Sequence, residues 1–170
     1  MGKQVGGFGP IPLTWSADGN LLAVGGAQVL LVHSDGSLAA NLDVSTPANG
    51  VAFVPVTGRL AISDIANHLL LRDVTHPDQS TSVPSDLHPW ESLAAALNVL
   101  AGLLQSGDVR VWDATTATPV ALLSGTSNAR AFALDSSGKS VLLGGILNEL
   151  RLFSLLLQIS RGSSRLWGAS

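Results

Sequence analysis

SLAAALNVLAGLLQSGDVRVWDATTATPVALL, from Ser92 to Leu123, is the stretch from which the rest of the chain is read. Short apolar runs alternate in it with clusters of turn residues. Taken as strands they are Leu93 to Ala96 (a), Val99 to Gln105 (b), Val109 to Asp113 (c) and Pro119 to Leu123 (d), with QSGD between b and c and ATTAT between c and d. Runs of this length are not stable alone. Because they are apolar almost throughout, the small sheet they form needs a neighbour on each face.

The same phrase occurs four times: it starts at Pro12 (PLTWSADGNLLAVGGAQVLLVHSD), Gly50 (GVAFVPVTGRLAISDIANHLLLRD), Ser92 and Ala129 (ARAFALDSSGKSVLLGGILNELRLFS). The first turns carry Gly19, Gly58, Asn98 and Gly138, spaced by 39, 40 and 40 residues. The third runs end at Asp35, Asp73, Asp113 and Ser154, spaced by 38, 40 and 41. Two independent landmarks therefore keep one period. Gly and Asn at the first landmark suit a tight hairpin, because they tolerate positive φ. A repeat of about 40 residues made of short antiparallel strands is the signature of radially stacked sheets. The expectation is an all-β, β-propeller-like array of about four blades, each a four-stranded antiparallel sheet. The blades are placed at 12–49, 50–91, 92–128 and 129–154. A Gly/Pro-rich segment, 1–11, precedes them, and a tail at 155–170 supplies a last strand and then disorder.

At Gly107 to Gly125, GDVRVWDATTATPVALLSG resembles the strand c to strand d segment of a WD-repeat propeller blade, with Trp112 and Asp113 as the dipeptide that names the family. SADGNLLAVGG, from Ser16 to Gly26, resembles its a–b turn and strand b. The resemblance spans about Pro12 to Phe153. It departs from the family in two ways. The Gly-His pair ahead of strand a is absent from every copy, and the other copies show His33-Ser34, Arg72-Asp73 and Phe153-Ser154 where the third has Trp-Asp. The family's His/Ser/Asp/Trp hydrogen-bond network is accordingly expected to be missing or replaced. Propellers close with roughly four to eight blades. Four copies imply a four-bladed ring, an open arc that pairs with another chain, or a piece of a longer protein, and the last two are favoured.

Composition bounds the function. Of 170 residues 46% are hydrophobic and 12% charged, against a usual charged share of about 25%, so the chain has a core to form. Two Lys and two Glu are too few to clothe a helical bundle. A net charge of -3 offers no basic patch for nucleic acid. With no cysteine, disulfide frameworks, thiolate metal sites and cysteine nucleophiles are excluded. MGKQVGGFGPIPLTW lacks the apolar stretch of a signal peptide, and no apolar run reaches the roughly 20 residues of a membrane span. An intracellular location, cytoplasmic or nuclear, is expected.

Two segments imitate active sites. ALDSSGKS, Ala133 to Ser140, nearly spells a phosphate loop ending in Lys139 and Ser140, but Gly138 is in register with the hairpin glycines, which makes it an ordinary a–b turn. GTSNA, Gly125 to Ala129, falls one glycine short of a nucleophile elbow. His33, His68, His76 and His88 lack the spacing of metal ligands. His33 and His68, on strands c, read as partly buried and hydrogen-bonded. No catalytic, cofactor-binding or metal-binding residue is assigned, and no cofactor is expected.

The remaining candidates bind a protein. Asp64, Asp108 and Glu149 fall in or beside the b–c turns of three blades, where the resemblance places them on the rim shared with the d–a loops. They either face water as ordinary turn residues or form an acidic docking surface for a basic partner. SVPSDLHPWES, Ser82 to Ser92, carries His88 and Trp90, and this tryptophan is either tucked under its own loop or an exposed anchor. Arg130 lies near the same rim. The function implied is a non-enzymatic WD-repeat-type interaction scaffold, with self-association through the end blades. The alternatives are a propeller-type hydrolase or nucleotide-binding protein using Lys139, or a truncated fragment without independent function.

Overall fold

The structure is a computed structural model and describes residues 11–85, 89–124, 129–145 and 150–155. Its elements are all strands. The first sheet holds β1 (Leu13–Trp15), β2 (Leu21–Val24), β3 (Val29–His33) and β4 (Leu38–Leu42); the second holds β5 (Ala48–Phe53), β6 (Leu60–Asp64), β7 (Leu69–Arg72) and β8 (Ser80–Ser82). The third holds β9 (Trp90–Ala96), β10 (Val99–Leu104), β11 (Val109–Asp113) and β12 (Thr118–Leu123). The fourth holds β13 (Ala129–Leu134), β14 (Ser140–Gly145) and β15 (Leu150–Ser154). Each sheet is an antiparallel meander in chain order, and together they make a blade-like array. The expectation of four strands per blade holds in three sheets. Among the described residues the fourth has three, and the tail that was to supply its last strand lies, from 156 onward, outside them.

Side-chain alternation explains the stacking. In β6, Leu60 and Ile62 join Leu31 and Leu42 of the first sheet in one apolar cluster. Ala61, one residue out of phase, joins Leu100 and Trp112 of the third sheet in another. In β10, Leu100 faces the second sheet while Val99, Ala101 and Leu103 face Val141 and Leu143 of the fourth. The period-two pattern of a strand thus gives the second and third sheets two dry faces each. Neighbouring sheets meet chiefly through their first strands, β1 with β5, β5 with β9 and β9 with β13, and the array is not closed. Among the described residues no helix is long and apolar enough to cross a membrane.

The turns account for both landmarks. Gly19, Gly58 and Gly138 have φ of 72°, 65° and 65°. The third a–b turn departs from the expectation: Ala96 pairs directly with Val99, and the positive φ, 51°, falls on Leu97 instead of Asn98. A two-residue hairpin has no slot for a longer turn's glycine, so leucine takes the left-handed conformation at a steric cost. The second landmark has a direct cause. The carboxylates of Asp35, Asp73 and Asp113 accept the backbone N–H two residues on, from Ser37, Thr75 and Thr115, at 2.9, 2.8 and 2.8 Å, each fixing a c–d turn.

Candidate functional site

The b–c turns and the d–a connections gather at one end of the sheets, and repeated backbone bonds hold them together. The N–H groups of Gly25, Ile65 and Gln105 donate to the carbonyls of Pro12, Pro47 and Pro89 at 2.9, 3.1 and 2.9 Å. The donors lie 40 residues apart and close strand b of three successive sheets against the segment leading into strand a. Proline suits the accepting position, since it has no N–H of its own to satisfy there.

In the second sheet a side-chain network adds to this bond. Asp64 is only 6% exposed at the end of β6. Its carboxylate accepts from the Thr46 hydroxyl, from the backbone N–H groups of Ala66 and His68, each at 2.9 Å, and lies 2.9 Å from His68 Nδ1. Burial pushes its acidity toward the neutral form. The donated hydrogen bonds of Thr46 and His68 outweigh burial and hold the carboxyl below the ordinary 3.8. Deeper in the sheet, Ser63 Oγ donates to Asn49 Oδ1 at 2.8 Å. The network ties the 65–68 turn to the first d–a connection. It also fixes what the turn displays: Ile65, 62% exposed, and the outer edge of His68.

The structure separates the residues singled out in the sequence. Trp90 is 3% exposed: it belongs to β9, and its ring packs on Trp112 at 5.5 Å and 55° while Nε1 points to the Asn67 carbonyl at 3.4 Å. Of its two readings the exposed anchor is overturned: the tryptophan is buried, though between sheets and not under its own loop, because strand alternation turns it into the joint between the second and third sheets. Asp64 is likewise corrected as a rim charge, since four donors draw it inward. Asp108 is half-buried and accepts from Ser106 Oγ at 3.1 Å within its own turn. Arg130 is exposed, with Nη1 donating to the Ala129 carbonyl at 3.0 Å. His88 and Glu149 lie outside the described residues. Of the two rim carboxylates within the described residues, Asp64 is buried and Asp108 half-buried.

The phosphate-loop imitation resolves as a turn, and Gly125 to Asn128 of the nucleophile-elbow imitation lie outside the described residues. Asp135 accepts the backbone N–H groups of Lys139 and Ser140, both at 2.7 Å, together with the Ser137 hydroxyl, so the amides a phosphate loop would offer are already used. Thr46, Asp64 and His68 are in contact, but Thr46 donates to the carboxylate and not to the imidazole, so the arrangement lacks the nucleophile-to-base bond of a triad. His33 is exposed at the end of β3, contrary to a partly buried reading. Among the described residues no group of three or more His, Cys, Asp or Glu could hold a metal ion.

Sequence reasoning missed Thr46, Asn67 and Ile65. Asn67, at φ 69°, turns its carbonyl toward Trp90 Nε1 and the Ser85 hydroxyl. The available signal was the run DIANH, in which an Asx residue at each end of a short turn marks a tight connection. No protein-family model matches the chain, and no curated protein matches it.

Proposed function

We propose that this chain is a non-enzymatic interaction scaffold of WD-repeat type that binds a protein segment across the end where its b–c turns and d–a connections meet. The observation that carries this is the 65–68 turn. A buried carboxylate with four donors immobilises it, and its product is an exposed Ile65 held in one place. A fixed apolar side chain binds with little loss of conformational entropy, which is what favours rigid anchors at interfaces.

The test is a selection of displayed peptides against the folded chain, followed by affinity measurements with two variants. Ile65→Ser is expected to weaken the selected peptides by about tenfold or more, equivalent to about 1.4 kcal/mol. Val56→Ser, at an equally exposed apolar position (64%) in the second a–b turn, at the opposite end, is the control and is expected to change nothing. Peptides indifferent to Ile65→Ser, or weakened equally by both, would contradict the proposal.

A further inference from the structure

The joints within the array follow one rule. Each sheet presents to its successor the face carrying Ala61 in β6 or Ala101 in β10, and to its predecessor the face carrying Leu60 and Ile62 or Leu100. The rule leaves two faces over. On the first sheet the predecessor-type face holds two cross-strand rows read from the pairing register, Leu13 with Val24, Leu30 and Asn41, and Trp15 with Leu22, Val32 and Leu38; Leu30 is buried within its own sheet and Asn41 is exposed. On the fourth sheet the successor-type face holds Ala131 with Gly144 and Leu150, and Ala133 with Leu142 and Leu152. Leu150 and Leu152 are 74% and 72% exposed, and Leu13, Trp15 and Leu38 are exposed as well.

Neither set of paired rows contains a charged residue. One leftover face is of the kind that covers the other at all three internal joints. Among the described residues the first and fourth sheets form no joint, so the two faces do not cover each other. We infer that a second copy of this chain covers them, with the fourth sheet of one copy stacking on the first sheet of the other. A head-to-tail contact either closes or runs on as a filament. With the four sheets of the described residues in each, two copies give eight, within the range of about four to eight at which stacked sheets close into a ring, and three copies exceed it. The assembly is a two-chain ring with two identical joints, each continuing the packing already seen between the sheets of one chain. It is independent of the proposed binding end, which lies at the turns and not on the sheet faces.

Sedimentation of the purified chain is expected to give twice the chain mass over a wide concentration range. Trp15→Glu and Leu152→Glu, at exposed positions on the two faces, are each expected to yield single chains with unchanged far-ultraviolet dichroism. Mixing the two variants is expected to restore a dimer, because the sound fourth sheet of one meets the sound first sheet of the other. Since the chain has no cysteine, a Trp15→Cys, Leu152→Cys double variant gives a second readout: a short thiol cross-linker is expected to join two chains and not to link one chain internally. A wild-type chain of single mass overturns the inference. So does a dimer sensitive at only one face, no recovery on mixing, or a mass that climbs with concentration.

Discussion

The third and fourth sheets begin from similar sequence and end in different surroundings. β10 reads VLAGLL and is buried at every position; β14 reads SVLLGG and alternates, with Leu142 exposed and Leu143 buried. Composition does not separate them. Among the described residues the third sheet has a neighbour on each face, and the fourth has one. Burial in a stacked array is set by the number of neighbours, so the same apolar run is core in one place and surface in the next.

The contrast can be broken most severely at the covered joint. Trp112 is fully buried, and its Nε1 donates to the Pro84 carbonyl at 2.9 Å. Trp112→Ala is expected to cost about 3–5 kcal/mol in urea unfolding, a large part of the about 5–15 kcal/mol that ordinarily holds a domain folded. Next come two glycines at mid-strand. A methyl on Gly102 would lie 2.6 Å from the Trp90 ring, whereas one on Gly144 meets nothing nearer than 3.8 Å. Gly102→Ala is expected to destabilise by about 1–3 kcal/mol. Gly144→Ala, measured on chain dilute enough to be single, is expected to be neutral or to stabilise by up to about 1 kcal/mol.

Thr46→Val sharpens the comparison at the loop end, because it leaves the buried Asp64 short of a donor. A loss of about 1–3 kcal/mol is expected, with the exchange of the Ala66 and His68 amides accelerated first. Leu97→Gly relieves a leucine at φ 51° and is expected to stabilise by about 1 kcal/mol in the same assay.

The smallest effect per residue is the response to acid. Thr75 and its backbone N–H lead the donors that hold Asp73 down at about 2, and Asp18, Asp35, Asp64 and Asp135 also lie below the ordinary 3.8. A carboxyl depressed in the folded state contributes stability that is fully present above its unfolded value and is lost as pH falls through its folded one. The urea midpoint should therefore hold steady above about pH 4 and fall between about 4 and 2. Asp73→Asn should flatten the lower part of that fall.

Much of the fold was legible because its determinants are local. Strand c of the third sheet was placed at Val109 to Asp113, as observed, and strands b and d ended within a residue of their observed limits. Hairpin glycines and turn-capping aspartates act within a few residues, so their spacing survives in the sequence. The site was less legible because it is made between repeats. Trp90 was read with a proline-rich loop, yet β9 begins at that residue, and only the neighbouring sheet shows which way the ring points. Asp64 reads as a rim charge until Thr46, 18 residues earlier, is seen to reach it. Ile65 carries no signal of its own, since nothing in its neighbours' identities says that the turn holds it outward.

Hydrogen exchange resolved by strand, on chain dilute enough to be single, tests most directly the claim that neighbours set burial. The amides of β6 and β10 are expected to exchange only through global unfolding, and those of β14 and β15 markedly faster. Equal protection across all four sheets, or β14 and β15 as slow as β10, would contradict it.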